Sequence, residues 1–389
     1  MARTTTLSLR PLSLAFLAAA SLSGAAHAAF PMGDTQVGFG GYLKLDAMLT
    51  QSTDGVIGTG IGRDFYVPSL IPVGGRSNAV AFDMHARQSR FWFTTETALD
   101  NGQKVNGRFE FDMMSTTIGD QRVTNGYSPE IRHAYLNYGK WTVGQTWSTF
   151  MDTNALPDSL DFIGGTDGAI FVRQGLVRYT EGNWQFAAEN PTTTATAVGG
   201  ATRVTADFKP APDLVGRYNF KTDAGAYSVA VLVRDLAIKQ PQGNDHVLGY
   251  GVSVSGKANC GQSDELRFTL NAGKGIGRYM SLNTANDAAL TPGGGLKAIG
   301  ASGLMLAWKH AWNPQWRSNL ILAAETIDNP VALTGKTQTS ATRSATVNLI
   351  HQLASKLSVG VETRYAAREL ENGQTGGLLR VQSSLKYDF

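Results

Sequence analysis

The chain ends on a strand of alternating character. Leu379, Val381, Leu385, Tyr387 and Phe389 fall on one parity, and Arg380, Gln382, Ser384, Lys386 and Asp388 on the other. Successive side chains of a strand point to opposite faces, so this segment has one oily face and one charged face. A wall between hydrocarbon and water needs such a strand. Proteins inserted into the bacterial outer membrane commonly close their chains this way, on an aromatic residue.

The first residues agree with that compartment. Arg3 and Arg10 give a positive start, residues 12–20 form a short apolar run, and Ala26-His27-Ala28 offers small residues for cleavage. This reads as a secretory signal peptide over 1–28, cut before Ala29, with residues 29–389 forming one barrel domain. Its removal takes Arg3 and Arg10 and no acid, so the 34 basic side chains fall to 32 against 31 acidic ones. Such a balance gives no electrostatic reason to bind nucleic acid. The single cysteine, Cys260, excludes an internal disulfide framework and sits in a short polar stretch that reads as a turn.

No segment after residue 28 has the roughly 18 consecutive apolar residues of a spanning helix. A lipid-exposed chain must satisfy its backbone groups internally, which leaves helices or closed barrels. Period-two alternation recurs from end to end. In the first strand, 36–50, Val37, Phe39, Leu43, Leu45 and Leu49 oppose Tyr42, Lys44 and Asp46. In the second, 85–98, Phe91 and Phe93 oppose Arg90, Trp92 and Glu96, and Asp100-Asn101-Gly102 marks a tight turn. The third places Val105, Phe109 and Phe111 opposite Asn106, Arg108, Glu110 and Asp112. Further strands are expected over 130–139, 141–149, 174–181, 184–190, 213–220, 226–235, 247–257, 265–274, 297–311, 315–327, 342–353, 357–369 and 378–389, sixteen in all. The fold class is therefore all-β, a transmembrane antiparallel barrel with short periplasmic turns and longer outer loops.

Residues 150–173 make the third outer loop. It combines Pro157, Gly164-Gly165, the apolar Leu160, Phe162, Ile170 and Phe171, and the acids Asp152, Asp158, Asp161 and Asp167. A loop with its own apolar residues can pack inside the barrel. Sixteen strands enclose an aqueous channel, so an inward-folded loop would set its size limit.

Many arginines share the inward parity: Arg90, Arg108, Arg178, Arg217, Arg267, Arg317, Arg364 and Arg380. Lumen-facing charges tune selectivity, and arginine grips carboxylates in a bidentate fork. Glu96, Glu110, Asp112, Glu189, Glu325 and Glu362 lie on the same face, so part of the arginines brace the wall. Arg132, Arg173 and Arg178, nearest the third loop in sequence, are the candidates for the constriction, although alternation leaves the parity of Arg132 and Arg173 open. Arg90, Arg108, Arg217, Arg364, Arg380 and Asp161 complete the expected solute-contacting set. The five histidines after residue 28 are scattered without a nucleophile motif, and the sequence carries no phosphate loop, metal-spaced Cys/His cluster or dinucleotide fingerprint. No cofactor, no metal and no catalytic residue are expected. Passive diffusion of small organic anions is the main reading; a barrel enzyme or a plugged structural or adhesin barrel are the alternatives.

Several stretches resemble the DcaP-like outer-membrane porins. They are Gly41-Tyr42-Leu43-Lys44-Leu45-Asp46, Arg87-Gln88-Ser89-Arg90-Phe91, Phe109-Glu110-Phe111-Asp112, Ile131-Arg132-His133-Ala134-Tyr135, the run from Val143 through Phe150, Phe171-Val172-Arg173-Gln174 and Val177-Arg178-Tyr179. They cover the first half of the mature chain; the second half matches by barrel pattern. The resemblance implies a homotrimer of sixteen-stranded barrels in outer-membrane lipid that admits dicarboxylates and related organic anions. It also implies a constriction around Arg132, Arg173 and Arg178. Some members carry a helical coiled-coil extension before the barrel. Here about seven residues separate the cleavage site from the first strand, so a trimer would rest on barrel-wall contacts alone.

Overall fold

The computed structural model describes residues 28–389 apart from Val123, Asp207, Pro241 and Gln242. The expected signal peptide lies outside the described residues except for Ala28. Sixteen antiparallel strands close into a barrel. The first eight are β1 (Thr35–Ser52), β2 (Ala79–His85 and Arg90–Ala98), β3 (Lys104–Asp112), β4 (Glu130–Tyr138), β5 (Trp141–Trp147), β6 (Arg173–Glu181), β7 (Trp184–Glu189) and β8 (Asp213–Thr222). The rest are β9 (Gly225–Gln240), β10 (Gly243–Cys260), β11 (Asp264–Lys274), β12 (Gly300–Ala311), β13 (Trp316–Asp328), β14 (Thr339–Ala354), β15 (Leu357–Leu370) and β16 (Thr375–Asp388).

Each strand pairs with the next, and β16 returns to β1 from Tyr42↔Asp388 to Ser52↔Leu378. Below that stretch a short N-terminal strand, Ala28–Met32, takes the same edge of β1. Phe389 seats at the junction, where its backbone N–H donates to the Gly41 carbonyl at 3.1 Å. A side chain on Gly41 would meet the Phe389 ring at 2.7 Å, so glycine is required there.

Alternation has the expected consequence. Leu43, Leu45 and Leu49 are exposed on the outer face of β1, while Lys44, Asp46 and Thr50 are buried inside. Trp141, Trp184, Trp308, Trp312 and Trp316 are exposed near the tight turns and form part of an aromatic girdle at that interface.

Two places break the alternation. The second strand is longer than its pattern suggests: it begins at Ala79 and is interrupted over 86–89. Three residues of β1, 43–45, there oppose four of β2, 86–89. The extra residue is a β-bulge, and it moves Phe82 and Met84 onto the same outer face as Phe91 and Phe93 although their numbering parity differs. The second break lies in β4. Glu110 pairs with His133 but Phe111 pairs with Ile131, which leaves Arg132 as the bulged residue. Arg132 and His133 are consequently both buried on the lumen side. This is why alternation left Arg132 unresolved.

The outer connections are unequal. Residues 148–172 form loop three, 53–78 loop one and 275–299 loop six. Strands β9 and β10 run to Gln240 and from Gly243, so the fifth outer connection is short, where the sequence pattern leaves a wider gap. Parts of the fourth and sixth connections build a separate sheet from Arg203–Ala206, Thr193–Thr196, Ala288–Leu290 and Leu296–Ala298.

Candidate channel constriction

Loop three crosses the lumen and docks on the opposite wall, mostly through its backbone. Arg217 Nη1 donates to the Met151 carbonyl at 2.7 Å, and Arg267 donates to that of Leu156. Lys44 Nζ and Gln382 Nε2 both donate to the Leu160 carbonyl, at 2.5 and 3.0 Å. Arg364 Nη2 reaches the Gly164 carbonyl at 2.5 Å, and Asn271 Nδ2 the Gly168 carbonyl at 2.7 Å. Glu362 works in the opposite sense: it accepts from Leu160 N at 2.8 Å, Ser159 Oγ at 2.7 Å and Asn348 Nδ2 at 2.9 Å. The tip closes on a glycine notch. A Cβ on Gly303 of β12 would lie 2.2 Å from the Gly168 Cα.

Besides Asp152, which pairs with Arg217, two acids of the loop pair with the wall. Asp158 receives Arg317 at 2.6 Å and Lys309 at 3.5 Å. Asp161 accepts from Tyr66 N of loop one at 2.9 Å and faces Arg364 at 3.4 Å. Burial would raise both carboxyls. The neighbouring cations outweigh it, Arg317 and Lys309 for Asp158 and Arg364 and Arg380 for Asp161, so both titrate below the usual carboxylate range. Loop one also enters the lumen: Tyr66 is fully buried and its hydroxyl donates to Asp167 at 2.9 Å.

The expected site residues separate into three groups. Arg90, Arg108, Arg132 and Arg173 converge on the wall facing loop three. Arg132 Nε lies 2.9 Å from Glu110 and its Nη1 2.8 Å from Asp112. Arg108 Nη2 is 2.6 Å from Glu110, and Arg90 Nη2 is 3.3 Å from Asp112. Arg173 stacks 5.1 Å over the Trp147 ring, with Glu130 at 3.9 Å. Arg178 and Arg217 grip the first limb of loop three. Arg178 donates to Thr149 Oγ1 at 2.7 Å and to the Trp147 carbonyl at 2.6 Å; Arg217 pairs with Asp152 at 2.9 Å. Arg364, Arg380 and Asp161 lie on the far side, beneath the loops. Arg380 donates to Thr50 Oγ1 and to the Gly62 carbonyl of loop one, at 2.8 and 2.6 Å.

The burial of these charges is uneven. The side chains of Glu110 and Asp112 are 4% and 1% exposed, against 16% for Arg108 and 18% for Arg90. The acids sit behind and the guanidiniums in front. Two buried donors lack a hydrogen bond: Arg90 Nε, which faces Glu110 at 3.5 Å, and Arg173 Nη1. The sequence reading missed Lys44, Lys309 and Tyr66, and the aromatic faces of Trp147 and Phe162, over which Arg132 lies at 5.7 and 5.2 Å. Signals were available in the inward parity of Lys44, in Phe162 among the apolar residues of loop three, and in an apolar Phe65-Tyr66-Val67 run in loop one. Among the described residues no group of three or more His, Cys, Asp or Glu side chains could hold a metal ion.

The profile of the DcaP outer membrane protein family matches residues 34–389. The chain belongs to this family. It is an outer-membrane channel of the DcaP family and not an enzyme. The crystal structure of the outer membrane channel DcaP of Acinetobacter baumannii is 21% identical, with a TM-score of 0.75 over 91% of this chain and 97% of that one. More distant barrels share the fold. The anion-selective porin from Comamonas acidovorans is 12% identical, with a TM-score of 0.55 over 91% of this chain and 100% of that one. OmpT of Vibrio cholerae in its trimer form is 10% identical, with a TM-score of 0.51 over 92% and 100%. Comparison with curated protein sequences gives no match.

Proposed function

We propose that this DcaP-family channel passes small organic anions, dicarboxylates foremost, by passive diffusion. One observation carries the reading: at the constriction the guanidiniums of Arg90 and Arg108 reach water while Glu110 and Asp112 are withdrawn behind them. A permeating ion meets the nearer charges first, and charge lining a narrow low-dielectric passage is weakly screened. The acids hold the arginines in place without cancelling their field at the water face. Planar guanidiniums bind carboxylates in a forked geometry, and several on one wall suit a solute with two carboxylates. Arg178, whose donors go to a hydroxyl and a carbonyl, adds a charge beside the path without a direct ion pair, with Glu189 as its neighbouring acid. Among distant relatives of the same fold, one is described as an anion-selective porin and another has a trimer form. We accordingly propose a homotrimer in outer-membrane lipid.

Reversal potentials across a salt gradient in planar bilayers test the reading. The wild-type channel should favour chloride over potassium, and millimolar succinate should block it more strongly than acetate. Arg90→Ala with Arg108→Ala should bring the permeability ratio towards or below unity. A wild-type channel that prefers potassium would overturn the proposal while leaving the barrel untouched.

A further inference from the structure

Glu325 lies on the lumen face of β13 and is 1% exposed. No donor meets full hydrogen-bond geometry at either carboxylate oxygen, and the Ser281 hydroxyl of loop six is the one donor turned towards it. The contrast with Glu362 is direct, since that acid receives two backbone N–H groups and two side-chain donors. Glu325 sits where three elements meet. On the wall its cross-strand partners are Gly303 of β12 and Thr342 of β14. The tip of loop three covers it, with Gly168 in the Gly303 notch and Asp167 alongside. Loop six brings Ser281, whose Oγ accepts from Gly168 N at 2.6 Å.

The charges around this junction leave Glu325 uncompensated. From loop three it faces Asp167, which is itself fully buried and accepts from Tyr66 and Ser344 hydroxyls. From β15, Arg364 is committed to Thr346, Gly164 and Asp161, and Arg368 to Thr339 Oγ1 and to the Ser69 and Ile71 carbonyls. From β11 comes Asn271, with its amide on the Gly168 carbonyl, and from loop six the Ser281 hydroxyl. An isolated carboxylate in such a place costs several kcal/mol, and two neighbouring carboxyls do not both ionise. A proton removes the cost and turns Glu325 from an ion with a single hydroxyl near it into a neutral group that can also donate.

We propose that Glu325 is a proton-binding site that fastens loop three to the wall, so that loss of its proton at alkaline pH releases the loop and widens the channel. The sign follows from linkage. The docked loop covers this carboxyl, whereas release returns it to water. The contribution of Glu325 to docking is therefore at full strength below the ordinary glutamate pKa of about 4.3, weakens as pH rises, and levels off once the docked carboxyl itself has ionised. Burial also raises the Asp167 carboxyl, against hydrogen bonds from Ser344, Thr342 and Tyr66. The clamp is poised to let go. Ser281, Leu282 and Asn283 all adopt left-handed backbone angles, with φ of 48°, 57° and 59°, a conformation unfavourable for residues other than glycine. Release of the junction frees that turn.

Single-channel recording from pH 6 to 10 tests this, with Glu325→Gln as the variant that keeps the shape and cannot ionise. In the wild type the ratio of wide to narrow states should rise with pH by up to about tenfold per unit; in the variant the ratio should be flat. A variant that titrates like the wild type overturns the proposal. So does a wild-type transition moved at fixed pH by calcium or EDTA, because a metal ion would then be the occupant. Infrared spectroscopy gives a readout that does not depend on channel activity. At pH 7 the wild-type barrel should show the C=O stretch of a protonated carboxyl that fades with the alkaline transition, and its absence at pH 7 equally overturns the proposal.

Discussion

Replacing Gly303 by alanine tests whether loop three is held by its fit to the wall. The added Cβ would lie 2.2 Å from the Gly168 Cα and 3.0 Å from its carbonyl carbon and oxygen. Ordinary contact begins at 3.4 Å, so the tip must retreat by at least 3.4 − 2.2 = 1.2 Å. The atoms it meets are backbone, and no side chain can rotate away. Overpacking of this kind costs about 1–3 kcal/mol. The retreat also breaks or lengthens two hydrogen bonds, Asn271 Nδ2 to the Gly168 carbonyl and Gly168 N to Ser281 Oγ, each worth about 0.5–1.5 kcal/mol. Together the docked loop loses roughly 2–6 kcal/mol, a shift of about 30-fold or more in its docking equilibrium. The barrel ladder has no part in this contact, so far-UV circular dichroism and resistance to unfolding in detergent should be unchanged. Single-channel conductance should rise and become noisy. Gly175→Ala is the control, because a Cβ there meets nothing within 4 Å. A Gly303→Ala channel with wild-type conductance and noise would refute the idea that the notch positions the loop.

Two further outcomes follow from the same anchoring. Glu362→Gln replaces a carboxylate that accepts from Ser159, Leu160 and Asn348 by an amide with one acceptor oxygen; hydrogen bonds to a charged group contribute about 1.5–3 kcal/mol, so conductance should become unstable at neutral pH with the barrel intact, as bilayer recording and circular dichroism would read. On the acid side, Asp158 and Asp161 titrate below the ordinary range because Arg317 and Lys309, and Arg364 and Arg380, face them. Their contribution to docking is present above the ordinary aspartate pKa of about 3.9 and is lost as pH falls through their depressed values. Conductance noise should therefore increase below about pH 4, and Asp158→Asn should bring that noise to neutral pH.

The barrel was legible because each spanning strand must put apolar groups towards lipid and polar groups towards water. That constraint is local, so a one-dimensional pattern carries it. It failed where an extra residue is inserted: at 86–89 and at Arg132 the bulge shifts the phase. The inward fold of loop three was legible from Leu160, Phe162, Ile170 and Phe171. The parallel entry of loop one was not expected, although Tyr66 ends fully buried beneath Asp167. Partnerships were beyond reach. Whether Arg364 faces Gly164 or Arg317 faces Asp158 depends on how far a loop crosses a cylinder, which alternation does not encode. The same limit hid the difference between Glu325 and Glu362, two acids of equal parity and opposite surroundings.

The wall holds loop three largely by carbonyl oxygens, at Met151, Leu156, Leu160, Gly164 and Gly168. Every amino acid carries that group. Many side chains between those holds can thus be exchanged while the track of the chain across the bore stays where it is. Descendants of this gene can revise what the aperture admits one substitution at a time, without first having to reinvent the route of the segment that forms it.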